Sequence, residues 1–179
     1  MFKLLIPLLL IISTSQLLAQ HYVKDTGRQP DKIESVFPYD IAIRTAENDT
    51  LNTEQIFKKN DRPTVLLFWL TTCAPCRAEM SAISKKYASW QAEKAFNMYA
   101  VSVDWPRNEQ RFASMVKQHN WPFPAYHDIN REFGKIMPGH LNGLPQVFVL
   151  NGEGEIVHHK RKYRPGDEDQ LFEVVKNLD

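Results

Sequence analysis

The two cysteines of the chain, Cys73 and Cys76, are its most reactive feature. Ala74 and Pro75 lie between them. The apolar run 65–70 that precedes them is typical of a buried strand, and the apolar residues that follow them recur at helical spacing. A helix N-terminus offers unpaired N–H groups and the positive end of a dipole, and both stabilise a thiolate. Such a thiolate attacks a disulfide, and a second cysteine one turn later resolves the mixed disulfide. The pair therefore indicates thiol–disulfide exchange.

The N-terminal segment indicates export. Lys3 precedes an apolar stretch at residues 4–12, and polar and small residues follow it up to Gln20. This pattern predicts a signal peptide over residues 1–20, and cleavage is favoured over a retained anchor because the stretch is shorter than the roughly 20 residues that span a bilayer. We expect a periplasmic protein without stable membrane insertion after cleavage. Residues 21–37 are polar and are interpreted as a linker or extended lead-in.

Composition narrows the function further. The 179 residues are 43% apolar and 11% aromatic, which suits one domain with a core, and the net charge of +1 gives no reason to expect nucleic acid as a partner. A single closely spaced cysteine pair closes too short a loop to restrict the unfolded chain much. Stabilisation of the fold by a disulfide, the common role of cysteines in exported domains, therefore explains the pair poorly.

The order of elements predicts an α/β fold. A leading hairpin precedes alternating strands and helices, and a late hairpin and a closing helix complete the chain, which implies a mixed sheet flanked by helices. The predicted strands are 40–44, 50–52, 64–70, 96–103, 123–126, 146–150 and 156–163. The predicted helices are 53–58, 75–91, 109–119, 130–137 and a last one capped by Asp167.

Two segments resemble a known family. Residues 68–80, FWLTTCAPCRAEM, are similar to the active-site segment of exported thioredoxin-fold proteins of the TlpA/ResA type, and residues 143–150, GLPQVFVL, resemble their second signature. The resemblance implies a thioredoxin-like domain over residues 38–179, with an N-terminal β-hairpin and a central strand–helix insertion. It also implies a protein thiol–disulfide oxidoreductase that needs no cofactor or metal, because the two sulfurs carry the electrons.

The resemblance also assigns roles to single residues. Cys73 would be the exposed nucleophile and Cys76 the buried resolving thiol, while Pro145 would be a cis-proline that leaves the backbone of Leu144 open to a substrate strand. Glu79 matches an acidic residue near the dithiol in ResA-type members. It is either a proton-transfer group or an exposed helix residue paired with Arg77 or Lys86. Client contacts are expected from Trp69, Thr72, Ala74, Pro75 and Leu144, with Trp69 serving mainly as scaffold beside the motif.

The sequence departs from relatives at two positions. Leu67 stands six residues before Cys73, where thioredoxin has a buried acid, so help in deprotonating Cys76 must come from Glu79, from water or not at all. Leu144 stands before the expected cis-proline, where relatives often have threonine, which makes the rim of the site more apolar.

The resemblance favours a reductant of disulfides in exported client proteins, as in cytochrome c maturation, recharged by a membrane or periplasmic thiol donor. One alternative is an exported metal-binding or partner-binding module without redox turnover, although His119, His127 and His140 show no spacing that supports a zinc site. A peroxiredoxin would need threonine and proline where Leu70 and Leu66 stand.

Overall fold

The computed structural model of the protein describes residues 37–57 and 59–178. The predicted signal peptide, residues 1–20, and all of the predicted lead-in except Phe37 lie outside these residues. Within the described ranges, no helix combines the length and the apolar character needed to cross a membrane.

A seven-stranded mixed sheet forms the centre of the domain, with the strands in the order β2-β1-β5-β4-β3-β6-β7. The parallel strands β3, β4 and β5 lie together, and β6 pairs with β3 in the antiparallel direction. The hairpins β1–β2 and β6–β7 form the two edges. The strands are β1 Ala42–Arg44, β2 Thr50–Asn52, β3 Thr64–Trp69, β4 Asn97–Ser102, β5 Ala125–His127, β6 Gln146–Leu150 and β7 Ile156–Arg161.

The sheet separates two apolar clusters, and the central strand β3 contributes to both. Val65, Leu67 and Trp69 belong to one cluster, whereas Leu66 and Phe68 belong to the other, as the alternation of side chains in a strand requires. The longest helix, α2, buries Met80 and Ile83 in the first cluster together with residues of the closing helix. The helices are α1 Thr53–Ile56, α2 Ala74–Glu93, α3 Glu109–His119, α4 Phe133–Ile136 and α5 Asp167–Lys176. The predicted α/β thioredoxin-like fold is confirmed.

Two helix starts differ from the prediction. The helix expected at 130–137 is limited to α4, because Arg131 has a positive φ of 57° and the Asp128 carboxylate accepts the N–H groups of Glu132 and Phe133, which fixes a turn first. Asp167 is the first residue of α5 rather than its cap, since Gly166 occupies the cap position with φ 96°. Neither shift alters the arrangement of the sheet.

Candidate active site

Cys73 and Cys76 form a disulfide at the N-terminus of α2, directly after the carboxyl end of β3, with their Cα atoms 5.3 Å apart. Cys73 is the N-cap residue, and its Sγ accepts a hydrogen bond from the backbone N–H of Cys76 at 3.2 Å. Cys73 is partly exposed, whereas Cys76 is fully buried. An incoming thiolate can therefore reach the sulfur of Cys73 but not that of Cys76.

The loop before Cys73 is held from both sides at Thr71. The Asp104 carboxylate accepts hydrogen bonds from the Thr71 backbone N–H at 2.7 Å and from its hydroxyl at 3.0 Å. The Arg77 guanidinium donates to the Thr71 carbonyl oxygen at 2.8 Å. Because Thr71 is only two residues before Cys73, these bonds fix the direction from which the chain enters the dithiol.

Asp104, which lies directly after the predicted strand 96–103, was not identified as a site residue from the sequence. It is buried, and its carboxylate also accepts from the Ser102 hydroxyl at 2.7 Å and the Asn108 amide at 3.2 Å. Its backbone carbonyl accepts a 3.0 Å hydrogen bond from Nε2 of His127, so Nε2 of that ring carries a proton. Four donors around one carboxylate stabilise a buried charge and tie the end of β4 to the cysteine loop.

A groove lies beside Cys73, and we call it the Cys73 groove. It has a volume of about 370 Å³ and is lined by Cys73, Leu70, Leu141, Leu144 and Arg131, among others. The Leu144–Pro145 peptide bond is cis, as the resemblance implied. Within the described ranges, the backbone of Leu144 makes no hydrogen bond, whereas the next carbonyl, that of Pro145, accepts from Lys162 at 2.7 Å. Leu144 thus places an unbonded backbone segment in the lining of the groove that also contains Cys73.

Glu79 is 2% exposed, so the alternative of a solvent-exposed residue paired with Arg77 or Lys86 is wrong. It lies three residues after Cys76, on the buried side of α2, and its Oε2 has no hydrogen-bond partner. The pKa of Glu79 is raised from 4.5 to about 8, mainly by burial; the carboxylates of Asp167 and Glu168 contribute to the rise, and Lys160 opposes it. Lys86 instead pairs with Glu168 and Asp169.

Trp69 does not belong with the client contacts. Its side chain is fully buried, and its ring lies 5.2 Å from that of Trp121 and 6.1 Å from that of Phe112. The indole supports the dithiol from inside the core because β3 points residue 69 into the first cluster. The other predicted contacts, Thr72, Ala74 and Pro75, are exposed beside the disulfide, and Leu144 is half-buried.

The structure separates the three histidines considered for metal binding. His119 stacks on Trp121, His127 bonds to Asp104, and His140 lines the Cys73 groove. Within residues 37–57 and 59–178, no group of three or more His, Cys, Asp or Glu side chains could hold a metal ion. The chemistry that this site offers is that of a dithiol and its disulfide.

Comparison with known proteins agrees with this geometry. The model of the AhpC/TSA family matches residues 36–159, which is more than half of the chain. The chain belongs to the AhpC/TSA family. The thioredoxin-like fold is also that of a solved structure, an uncharacterized thioredoxin-like protein from Porphyromonas gingivalis. The two share 29% identity with a TM-score of 0.65, over 78% of this chain and 89% of that one.

Curated relatives are named for the same chemistry. The "Sporulation thiol-disulfide oxidoreductase A" of Bacillus subtilis is 26% identical over 81% of this chain and 83% of its own length. The "Thiol-disulfide oxidoreductase ResA" of Oceanobacillus iheyensis is 30% identical over 59% of this chain, and the match spans 52% of that relative. The chain thus covers about half the length of one relative and most of the other.

Proposed function

We propose that the protein is a thiol–disulfide oxidoreductase that reduces disulfides of exported client proteins through Cys73 and Cys76. The observation that carries this function is the disulfide at the start of α2, with one sulfur open to the Cys73 groove and the other buried. The names of two curated relatives support the same reaction. The N-terminal pattern of residues 1–20 supports export to the periplasm.

The reaction balances as two exchanges. In the reduced protein, the Cys73 thiolate attacks one sulfur of a client disulfide, so that a Cys73–client bond forms and the other client sulfur leaves as a thiolate. The Cys76 thiolate then attacks Sγ of Cys73, which forms the protein disulfide and releases the second client thiolate. Two electrons pass from the protein to the client. A membrane or periplasmic dithiol donor returns them and restores the reduced protein.

The helix start favours the first step. The backbone N–H of Cys76 points at Sγ of Cys73, and the N-terminus of a 20-residue helix adds a partial positive charge there. Both interactions stabilise a thiolate on Cys73 more than a thiol. The open backbone of Leu144 can pair with an extended client segment and hold its disulfide beside that sulfur.

Glu79 supports the second step. The resolving thiol of Cys76 is buried and must lose its proton before it attacks. The Glu79 carboxyl lies one helical turn after Cys76 and has a pKa of about 8, so it can change protonation state near neutral pH, and we propose it as the group that takes the proton of Cys76. Leu67 supplies no such group from β3.

The family resemblance extends the proposal to the direction of electron flow and to clients such as apocytochromes whose haem-attachment thiols must stay reduced. Insulin reduction with a small dithiol as electron source tests the activity, and the measured reduction potential tests the direction. The variant Cys73→Ser should lose turnover, and Cys76→Ser should stop at a mixed disulfide that mass spectrometry detects. Full activity of the double variant would refute the function. A potential near −120 mV rather than about −270 mV would refute the reductant direction.

A further inference from the structure

The Cys73 groove is apolar and positively charged at the same time. Leu70, Val103, Leu141 and Leu144 supply apolar surface, and the ionisable side chains among its lining residues are basic apart from the cysteine, with Arg131 foremost. The lining includes no aspartate or glutamate. A groove of this kind favours an extended segment that combines apolar side chains with negative charge.

Arg131 is held in place without being neutralised. Its guanidinium lies 4.2 Å from the ring centroid of Trp105 and donates a hydrogen bond to the carbonyl oxygen of Val103. Trp105 is 54% exposed, so part of its ring remains accessible to a bound chain. Within residues 37–57 and 59–178, the ion pairs include none with Arg131. A fixed cation without an acidic partner remains available to a bound anion.

Two more guanidinium groups lie around the dithiol. Arg77 donates to the carbonyl of Thr71, before Cys73, and Arg161 donates to the carbonyl of Asn142, before Leu144. Both use neutral backbone acceptors, and within the described ranges neither forms an ion pair. The Asp104 carboxylate that also holds Thr71 is buried, so the charged side chains exposed around Cys73 include these cations, which favour acidic segments over basic ones.

We infer that the protein selects client disulfides that lie next to an acidic residue, with Arg131 pairing the client carboxylate and Trp105 contacting the neighbouring chain. This inference rests on the proposed function and specifies its substrate class. The physical advantage concerns the first exchange: a thiolate approaching an acidic disulfide is repelled, and Arg131 offsets that repulsion at the point of contact. The bonds formed and broken remain those of the two exchanges above.

Three disulfide peptides that differ only in the residue beside one cysteine, Glu, Gln or Lys, test the inference. The reduced full-length protein is mixed with each in excess, and the second-order rate constant of disulfide reduction is measured. The Glu peptide should react about two- to five-fold faster than the Gln peptide, which is the range for a partly exposed ion pair, and the Lys peptide should react most slowly. The differences should shrink in 0.5 M NaCl, where the Debye length falls to roughly 4 Å.

Variants assign the effect to Arg131. The preference for Glu over Gln should disappear in Arg131→Gln and persist in Arg131→Lys, which keeps the charge. The control is Lys117→Gln, which removes a unit of charge from the exposed last turn of α3, and it should keep the preference. Equal rates for the Glu and Gln peptides with wild-type protein, or a preference that survives in Arg131→Gln, would overturn the inference. If Arg131→Gln did not fold, the rates of the wild-type protein with the three peptides, and their salt dependence, would still test the preference for an acidic residue.

The two proposals fail in different ways. The rate with the neutral Gln peptide, compared with that of Cys73→Ser, reports the reductase activity itself. The ratio of the Glu and Gln rates reports the charge preference. A protein that reduces all three peptides equally keeps the proposed function and loses the inference, whereas a protein that reduces none of them loses the function.

Discussion

The substitution Glu79→Gln should change how the stability of the protein depends on pH. Burial raises the pKa of Glu79 from 4.5 to about 8, so between these values the native state holds a proton that the unfolded chain has released. The free energy of unfolding of the wild type therefore falls as pH rises through this window, by at most about 1.4 kcal/mol per pH unit. Glutamine carries no titrating proton, so this contribution is absent from the variant.

The magnitude follows from the width of the window. From pH 5 to pH 8 the wild type should lose about 3 kcal/mol relative to Glu79→Gln, with most of the change between pH 5.5 and 7.5 at about the maximum slope. The variant also changes a buried atom, Oε2, that has no hydrogen-bond partner, and this adds an offset that does not depend on pH. The test is therefore the slope of the difference and not its value at one pH.

Guanidinium chloride unfolding of the oxidised protein at several pH values measures that slope. The oxidised form is used because its cysteines are joined in the disulfide and do not titrate. The matched control is Glu93→Gln, which removes a 58% exposed carboxylate from the last turn of the same helix. A difference between wild type and Glu79→Gln that stays constant from pH 5 to pH 8 would refute the neutral buried carboxyl, and with it the role proposed for Glu79 in deprotonating Cys76.

Two further predictions concern the anchor of the cysteine loop and the packing of α5 on α2. Asp104→Asn replaces a carboxylate that accepts four hydrogen bonds by an amide with one acceptor oxygen. Because the cysteine loop loses its anchor, we expect the free energy of unfolding, measured with denaturant, to fall by about 2–4 kcal/mol and the reduction potential to shift. An unchanged potential would mean that Asp104 contributes to stability alone. Phe172→Ala should cost about 3–5 kcal/mol. Its ring stacks on Trp90 at 4.7 Å, and a double-mutant cycle with Trp90→Ala should give about 0.5–1.5 kcal/mol of coupling, whereas additive losses would contradict the stacking.

Local patterns carried enough information to predict most of the fold. The continuous apolar run predicted β3, because a central strand is covered on both faces. The helical spacing of Met80, Ile83, Tyr87 and Trp90 predicted the inner face of α2, where Tyr87 is half-buried and the other three are buried. The helix at 130–137 was predicted too long because Asp128 bonds to the backbone of a turn that periodicity does not register. Apolar periodicity therefore predicted the elements that burial defines, but it did not predict a turn that hydrogen bonds from a side chain to the backbone define.

Separation along the chain explains which site residues were identified. Cys73, Cys76 and Pro145 lie in local motifs and were identified, whereas Asp104 acts on a loop 33 residues before it. That contact exists because β3 and β4 are parallel neighbours, with Trp69 opposite Ser102, so their carboxyl ends meet. Asp104 follows β4, the strand predicted to lie parallel to β3, and this position was the signal that could have indicated a role for Asp104 beside the cysteines. Arg131 had no comparable signal, since its position depends on the turn that shortens α4.

In the proposed function, Glu79 on α2 supplies the acid that Leu67 does not supply from β3. Leu67 lies fully buried on β3 in the same apolar cluster as Cys76, so an acid at that position would face the resolving cysteine from the sheet. Glu79 instead lies one turn beyond Cys76 on α2, buried and with a raised pKa. The pH slope of Glu79→Gln therefore tests whether α2 supplies the buried, neutral carboxyl on which the proposed deprotonation of Cys76 depends.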